Sequence, residues 1–363
     1  MRLPRRVASA VAALGIFAAS AGPASAAVAP GPLADFQARL AAYTMRAPGH
    51  VGIAVQDVAT GLSTGVNASA EMPAASTIKI PVMVEVFRQL GAGSFDLNTR
   101  MRLQKADKDW GSGDLAGARV GSTYPVSKLL SLMIDVSDNT ATNMLIRLVG
   151  RRNINAEMAG LGLAHTRLTD SIRSSGPAIR WALRSSPGDM ARLLGHMAKD
   201  ELIDEWSSRE MIAILRGQRH NGLLPQPLPR GTAIAHKTGT LHDTLNDVGI
   251  VYLGTEPYVI AVMTTDLPTL DSGRRFIRGV SRMAYDAIGR FASWREVNGF
   301  VGSAESAPVI PDPALISPDA RMWTPPQAEP AAAPQPANAQ PPANAPSQNG
   351  PAPAASGEPQ LED

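Results

Sequence analysis

Runs with the composition of β-strands lie near both ends of the globular part of this chain, and the helical periodicity lies between them. Residues 51–56 alternate loosely and are rich in Val and Ile. Thr60-Gly61 then makes a turn and residues 62–66 return, which predicts a β-hairpin. Near the other end, residues 232–237, 247–253 and 258–264 read as three further strands, the last two joined by Gly254-Thr255-Glu256-Pro257. Residues 81–90, 126–136, 140–149 and 189–199 carry apolar side chains at i, i+3, i+4 spacing, and a helix over residues 272–293 closes the globular part. Such an order implies an α/β fold in which one antiparallel sheet is built from both ends of the chain. The inserted helices then form a second lobe, and the cleft between the two is the natural place for a ligand.

The two termini differ from this middle part. Arg2, Arg5 and Arg6 precede an apolar run over residues 7–20, and Ala24-Ser25-Ala26 is a small-x-small cleavage site, so residues 1–26 read as an export signal peptide. The run is too short to span a bilayer, so the mature protein is expected to be exported, periplasmic or extracellular, without stable membrane insertion. Residues 301–363 hold 15 of the 30 prolines and few large apolar residues. That composition buries too little surface to offset chain entropy, and the segment is expected to be a disordered Pro/Ala-rich tail. The net charge of +2 gives no reason to expect a nucleic-acid partner. With no cysteine, a disulfide framework, a thiolate-ligated metal and a cysteine nucleophile are all excluded.

Three short motifs then carry the chemistry: Ser76-Thr77-Ile78-Lys79, Ser137-Asp138-Asn139 and Lys237-Thr238-Gly239. A serine hydroxyl is a poor nucleophile until a base takes its proton. Ser76 opens an apolar helix, and a lysine three residues on lies one turn away on the same face, where it can hold its amine against the hydroxyl. Burial and the cationic Lys237 both push the Lys79 pKa down toward that of a usable base. The serine of Ser137-Asp138-Asn139 falls between two helical runs, with Asp138 or Asn139 placed to cap the second. From there Ser137 can relay a proton to a leaving nitrogen, and Asn139 can bond Lys79 or a substrate amide. Lys237 and Thr238 suit a substrate carboxylate, Gly239 admits close approach to the backbone, and the Thr240 N–H can pair with that of Ser76 as an oxyanion hole.

These motifs, with Asn139-Thr140-Ala141-Thr142-Asn143, Thr166-Arg167-Leu168 and Asn246-Asp247-Val248-Gly249-Ile250, resemble the penicillin-recognising serine enzymes, most closely the class A β-lactamases and their exported homologues. The resemblance spans about residues 33–296. It implies a five-stranded antiparallel sheet flanked by helices, an all-α lobe, and acylation of Ser76 by a β-lactam amide. Lys79 would be the base, Ser137 the proton relay, and Lys237 with Thr238 the carboxylate binders. Residues 27–300 are thus expected to be a serine hydrolase domain. The expected substrate is a small-molecule β-lactam or a peptidoglycan peptide, met by a monomer without metal or cofactor. Alternatives are a D,D-peptidase or esterase, and a binding module that acylates without turnover.

One departure stands out. The family's β-lactamases follow the Thr-Arg-Leu segment with a Glu-x-x-x-Asn element whose glutamate activates the deacylating water. Here the segment continues Thr169-Asp170-Ser171-Ile172-Arg173, with no glutamate between Glu157 and Glu201. Slow deacylation is the expected consequence, with Asp170 as a substitute base and Asp189 facing solvent at a helix start. His236 reads as a strand-flank residue. Gly111-Ser112-Gly113 reads as a turn, and Trp110 beside it as a cleft wall or a packed side chain. Arg219, His220 and Asn221 are further candidates for carboxylate binding.

Overall fold

A computed structural model describes residues 31–174, 179–254 and 256–300. The chain divides into two units, Met1–Ile316 and Ser317–Asp363, and every described residue belongs to the first. The expected signal peptide, residues 1–26, and the expected tail, residues 301–363, lie outside the described residues.

After an N-terminal helix α1 (Gly31–Thr44), the chain forms β1 (His50–Asp57), β2 (Ser63–Val66) and the short β3 (Met72–Pro73). A 3-10 turn over Ala75–Ile78 leads into α2 (Lys79–Gly91). The inserted part continues with β4 (Arg100–Arg102), β5 (Thr123–Pro125), α3 (Val126–Asp135), α4 (Asn139–Val149) and α5 (Arg151–Gly160). It ends with β6 (Arg167–Leu168), α6 (Ile179–Ala182), β7 (Leu183–Ser185), α7 (Pro187–Ala198) and α8 (Glu205–Arg216). The chain then returns as β8 (Ala233–Thr240), β9 (Leu245–Leu253) and β10 (Glu256–Thr265), and α9 (Leu270–Asn298) follows.

The main sheet has five strands in the order β2-β1-β10-β9-β8, every neighbour antiparallel. Both ends of the globular sequence therefore meet at the β1–β10 pairing, where His50 lies opposite Thr265 and Asp57 opposite Tyr258. The sheet is buried on both faces, so β10 reads as one apolar run while its side chains serve two cores. Tyr258, Ile260 and Val262 pack with Leu33, Phe36 and Leu40 of α1 and with Phe276, Ile277 and Ile288 of α9. Val259, Ala261 and Met263 face the other way, into a core shared with α2, α3, α4, α7 and α8. The alternation is that of any strand whose successive side chains point to opposite faces.

This arrangement leaves β8 at the edge of the sheet, beside the turn that starts α2. Asn246 on β9 ties the two together: its amide nitrogen donates to the carbonyls of Pro73 (2.8 Å) and Ala74 (3.1 Å), and its oxygen accepts from the Thr264 N–H. The segment entering Ser76 is thereby held by the sheet rather than by its own helix. Helices α1, α5, α6 and α8 and the short strands β3 to β7 add to the expected set. In α1 the apolar face is Leu33, Phe36 and Leu40 in an alanine-rich background, and α5 buries only Ile154 and Met158.

Candidate active site

Ser76, Ser137, Asn139, Thr238 and Thr240 line one cavity of about 980 Å³, although they arrive from four separate elements of the chain. Ser76 sits in the 3-10 turn. The residue before it, Ala75, has φ of 49°, in the left-handed region that a side chain disfavours. Ser137, between α3 and α4, has φ of 57°. Each such residue costs roughly 1–3 kcal/mol of backbone strain, and the surrounding hydrogen bonds must hold both in place.

Those bonds converge on Lys79. Its side chain is fully buried and its amine donates to the Ser137 carbonyl (2.5 Å), the Ser137 Oγ (2.9 Å) and the Asn139 Oδ1 (2.8 Å). An ammonium has three donors, so all are committed to the Ser137–Asn139 joint. The expectation that the Lys79 amine bonds directly to the Ser76 hydroxyl is corrected here. Lys79 is the first residue of α2, one turn beyond Ser76, and its amine is drawn across to the facing joint. Burial, and then the Lys237 charge, lower the Lys79 pKa well below the usual lysine range, against the opposing influence of Asp138 and Asp109.

The joint is itself braced. Asp138 caps α4 by accepting from the Ala141 N–H (2.8 Å), and its other oxygen accepts from the Leu115 N–H (2.8 Å). Gly113 passes so close that an added Cβ would lie 2.2 Å from that carboxylate. Asn139 donates its amide to Asp109 Oδ1 (2.7 Å), which also accepts from the Gly111 N–H (2.9 Å). The second Asp109 oxygen accepts from the backbone N–H (2.7 Å) and the hydroxyl (3.0 Å) of Ser174. Burial raises the Asp109 pKa, but the bonds from Asn139, Gly111 and Ser174 outweigh it and hold the carboxyl below its ordinary value. Asp109 thus connects the Lys79 pocket to Ser174 on the loop after β6. Sequence reasoning missed it, because one aspartate before Trp110 carries no motif.

Across the cavity, Lys237 is fully buried on β8, and its amine donates to the Thr238 carbonyl (2.9 Å). Burial lowers its pKa to about 7, opposed by Asp247. Gly239 has a different role from the one expected. A Cβ there would lie 2.9 Å from the Ala74 carbonyl oxygen and 3.1 Å from the Ser76 nitrogen, so the close approach it permits is that of the Ser76 turn. His236, on the opposite face of β8, is buried between Asp247 Oδ1 (2.8 Å) and Asn221 Oδ1 (2.9 Å), a structural position. Of the neighbouring candidates only His220 lines the cavity. Burial, then Lys237, lower its pKa.

The loop after Thr166-Arg167-Leu168 departs from expectation twice. Asp170 is not among the residues lining the cavity; it is half exposed, paired with Arg173 at 3.5 Å, and accepts from the Ser171 N–H. Asp189 does not face solvent. It is buried in the first turn of α7 and accepts from the His165 N–H and the Thr166 hydroxyl, each at 2.8 Å, which fixes the start of the loop. Of this loop, Ile172, Arg173 and Ser174 line the cavity, and Ile172 is also part of the apolar core. It is 4 % exposed, its N–H donates to Asn143 Oδ1 (2.8 Å), and its carbonyl accepts from Asn143 Nδ2 (3.0 Å). Trp110 is neither packed nor a wall: it is 75 % exposed, with the Lys108 amine 5.9 Å from its ring centre. Gly111 and Ser112 of the expected turn do line the cavity.

Comparison with known proteins bears on the family and the fold. The profile of the β-lactamase enzyme family matches residues 35–288. A β-lactamase of Streptomyces fradiae is 28% identical over 289 residues, 76% of this chain and 93% of that protein. The crystal structure of a β-lactamase from Sphaerobacter thermophilus superposes with a TM-score of 0.65 at 32% identity, covering 70% of this chain and 97% of that one. PBP-A superposes with a TM-score of 0.67 at 30% identity, covering 71% and 97%, and a mutant of it has been solved as an acyl-enzyme complex with penicillin G.

Proposed function

The chain belongs to the β-lactamase enzyme family, and from that membership we propose that it is an exported serine hydrolase that opens the β-lactam amide through an acyl-Ser76 intermediate and releases the acyl group slowly. The observation that carries the reading is the buried Lys79 amine, with its lowered pKa, bonded to Ser137 and Asn139 on the wall of the cavity that Ser76 enters.

In this reading Lys79 loses its proton readily, since the charged form is disfavoured by burial and by Lys237. Having lost a proton, and with it one bond to the Ser137–Asn139 joint, the neutral amine turns its lone pair to Ser76 and takes its proton as the Ser76 oxygen attacks the lactam carbonyl. The carbonyl oxygen becomes an oxyanion between the N–H groups of Ser76 and Thr240, on two segments that Gly239 allows to touch. The C–N bond then breaks, and the proton reaches the leaving nitrogen through the Ser137 hydroxyl, which already accepts from Lys79. Lys237, Thr238 and Thr240 hold the substrate carboxylate, and Asn139 offers its amide to the acyl side chain.

Deacylation requires a base near the ester, and loss of a positioned general base costs about 10²–10⁴ in rate. Among the described residues the one carboxylate lining the cavity is Asp243, which is paired with Arg180 at 3.2 Å. Ile172 supplies only hydrocarbon. The same observation, with the likeness to PBP-A, favours a second reading in which the acyl donor is a peptidoglycan peptide and the β-lactam a trapped analogue.

Intact-mass spectrometry over time after adding penicillin G tests the proposal. One adduct of the penicillin's mass is expected, on Ser76, lost over minutes or longer and absent in Ser76→Ala. No adduct, or an adduct retained in Ser76→Ala, would overturn the acyl-serine reading. Steady turnover without accumulation would overturn slow release, and liberation of D-Ala from a peptide would favour the second reading.

A further inference from the structure

The cavity is cationic beyond what one substrate carboxylate uses. Four arginines line it, Arg173, Arg180, Arg274 and Arg278, against the single acid Asp243. Arg180 is committed to Asp243 and to Asp266. Arg173, on the loop opposite, leans on Asp170. Arg274 and Arg278 differ: neither has a carboxylate partner among the described residues, and they rise from the second and third turns of α9.

The placement of this pair is unfavourable for the helix by itself. Residues i and i+4 share one face, so the two guanidinium groups repel. Arg275, between them in sequence, is neutralised by Asp271 one turn back, so the helix pairs its other arginine in this stretch and leaves the two that face the cavity. Arg278 is also fixed in position, its Nε donating to the Gly222 carbonyl at 2.9 Å, which leaves its terminal nitrogens for another acceptor. Gly222 itself lines the cavity with Thr238 and Thr240. Two adjacent guanidinium groups match the oxygens of a carboxylate or sulfonate better than any point charge does.

We propose that the site takes acyl donors with two anionic groups on the amine side of the scissile amide, the first held by Lys237, Thr238 and Thr240 and the second by Arg274 and Arg278. The inference rests on the acyl-serine reading and deepens it by naming a substrate class. A bound second anion removes the like-charge repulsion on α9, and the open cationic mouth raises the encounter rate for such substrates at low salt.

The test compares two cephalosporins that share one acyl group and one tetrazolylthiomethyl arm at C3, the tetrazole carrying methyl in one and sulfomethyl in the other. The second-order rate of Ser76 adduct formation is read by intact mass at low and high salt. The sulfomethyl compound is expected to react about tenfold faster or more at low salt, on the scale of one charged hydrogen-bonded contact. The advantage should shrink at high salt. In Arg274→Ala/Arg278→Ala the ratio should fall toward one, and in Arg274→Lys/Arg278→Lys part of it should return. A wild-type ratio near one with both adducts formed would overturn the two-anion inference and leave the acyl-serine reading standing. So would a ratio that survives the double alanine variant. If neither compound adds mass to Ser76, the reading beneath it fails and the inference falls with it.

Discussion

The two walls of the cavity are built in opposite ways. On the side of the Ser137–Asn139 joint every polar group is buried and satisfied: Lys79 by Ser137 and Asn139, Asn139 by Asp109, Asp138 by two backbone N–H groups. On the side of the loop, the chain presents the apolar Ile172 and the exposed Arg173, and Asp170 turns outward. Acyl transfer needs a base, a relay and an oxyanion site in fixed register, which only a satisfied network can hold. Hydrolysis of the acyl group needs a second base aimed at a water, and the loop supplies a hydrocarbon where such a base would stand. Under the proposed acyl-serine reading, the contrast separates two half-reactions on a single surface, one preorganised and the other unprovided.

The sharpest way to break the contrast is to give the loop a carboxylate. In Ile172→Glu the new side chain enters the cavity from a backbone already clamped by Asn143, and partial burial would hold its pKa up toward that of a working base. The lifetime of the penicillin adduct is expected to shorten by about 10- to 100-fold, the lower part of what a placed general base contributes, with adduct formation changed far less. Unchanged adduct lifetime in a folded variant would show that the apolar loop is not what limits release. A smaller effect comes from loosening the built wall. Asp109→Ala leaves the Asn139 amide and the Ser174 donors without their acceptor, a loss of about 1–3 kcal/mol in a buried site. Adduct formation should slow about tenfold. Asp109→Asn, which keeps an acceptor oxygen for one of these donors, should recover part of it.

The sheet, its hairpin and the longer helices were legible because their apolar periods are long and their side chains are buried on a fixed face. Residues 258–264 announced β10, although both of its faces turned out to be buried, since a run of alternating Tyr, Val, Ile and Ala suits either case. Ser76, Lys79, Ser137 and Lys237 were legible as motifs, but the partner of the Lys79 amine was not. Spacing along one helix pointed to Ser76, whereas the bonds run to a joint 58 residues away in sequence. Asp109 and Arg274 were invisible for the same reason, as each gains its role from a neighbour that only the tertiary fold supplies. Asp189 was misread because a first-turn aspartate usually faces water; here the His165–Thr166 segment folds over it.

The smallest effect expected concerns the two buried lysines, Lys79 in the joint and Lys237 on β8 across the cavity. Lys237 has a folded-state pKa of about 7 against an ordinary value near 10.5, so between those values the unfolded chain binds a proton that the folded protein does not. Stability therefore rises with pH across that window and is flat below about 7 on this account. Lys79, lowered in the same direction by burial and by the Lys237 charge, contributes the same sign of slope. Melting temperature should accordingly increase from pH 7 toward pH 9.5, the opposite of the loss seen when an ion-paired lysine titrates. Lys237→Met, of similar length and without charge, should reduce that slope and raise the melting temperature at pH 7, because a buried ammonium is exchanged for a thioether. A variant that melts lower at pH 7, or that keeps the full slope, would mean that Lys237 is paired in the folded state and that the β8 side of the cavity owes stability to its charge.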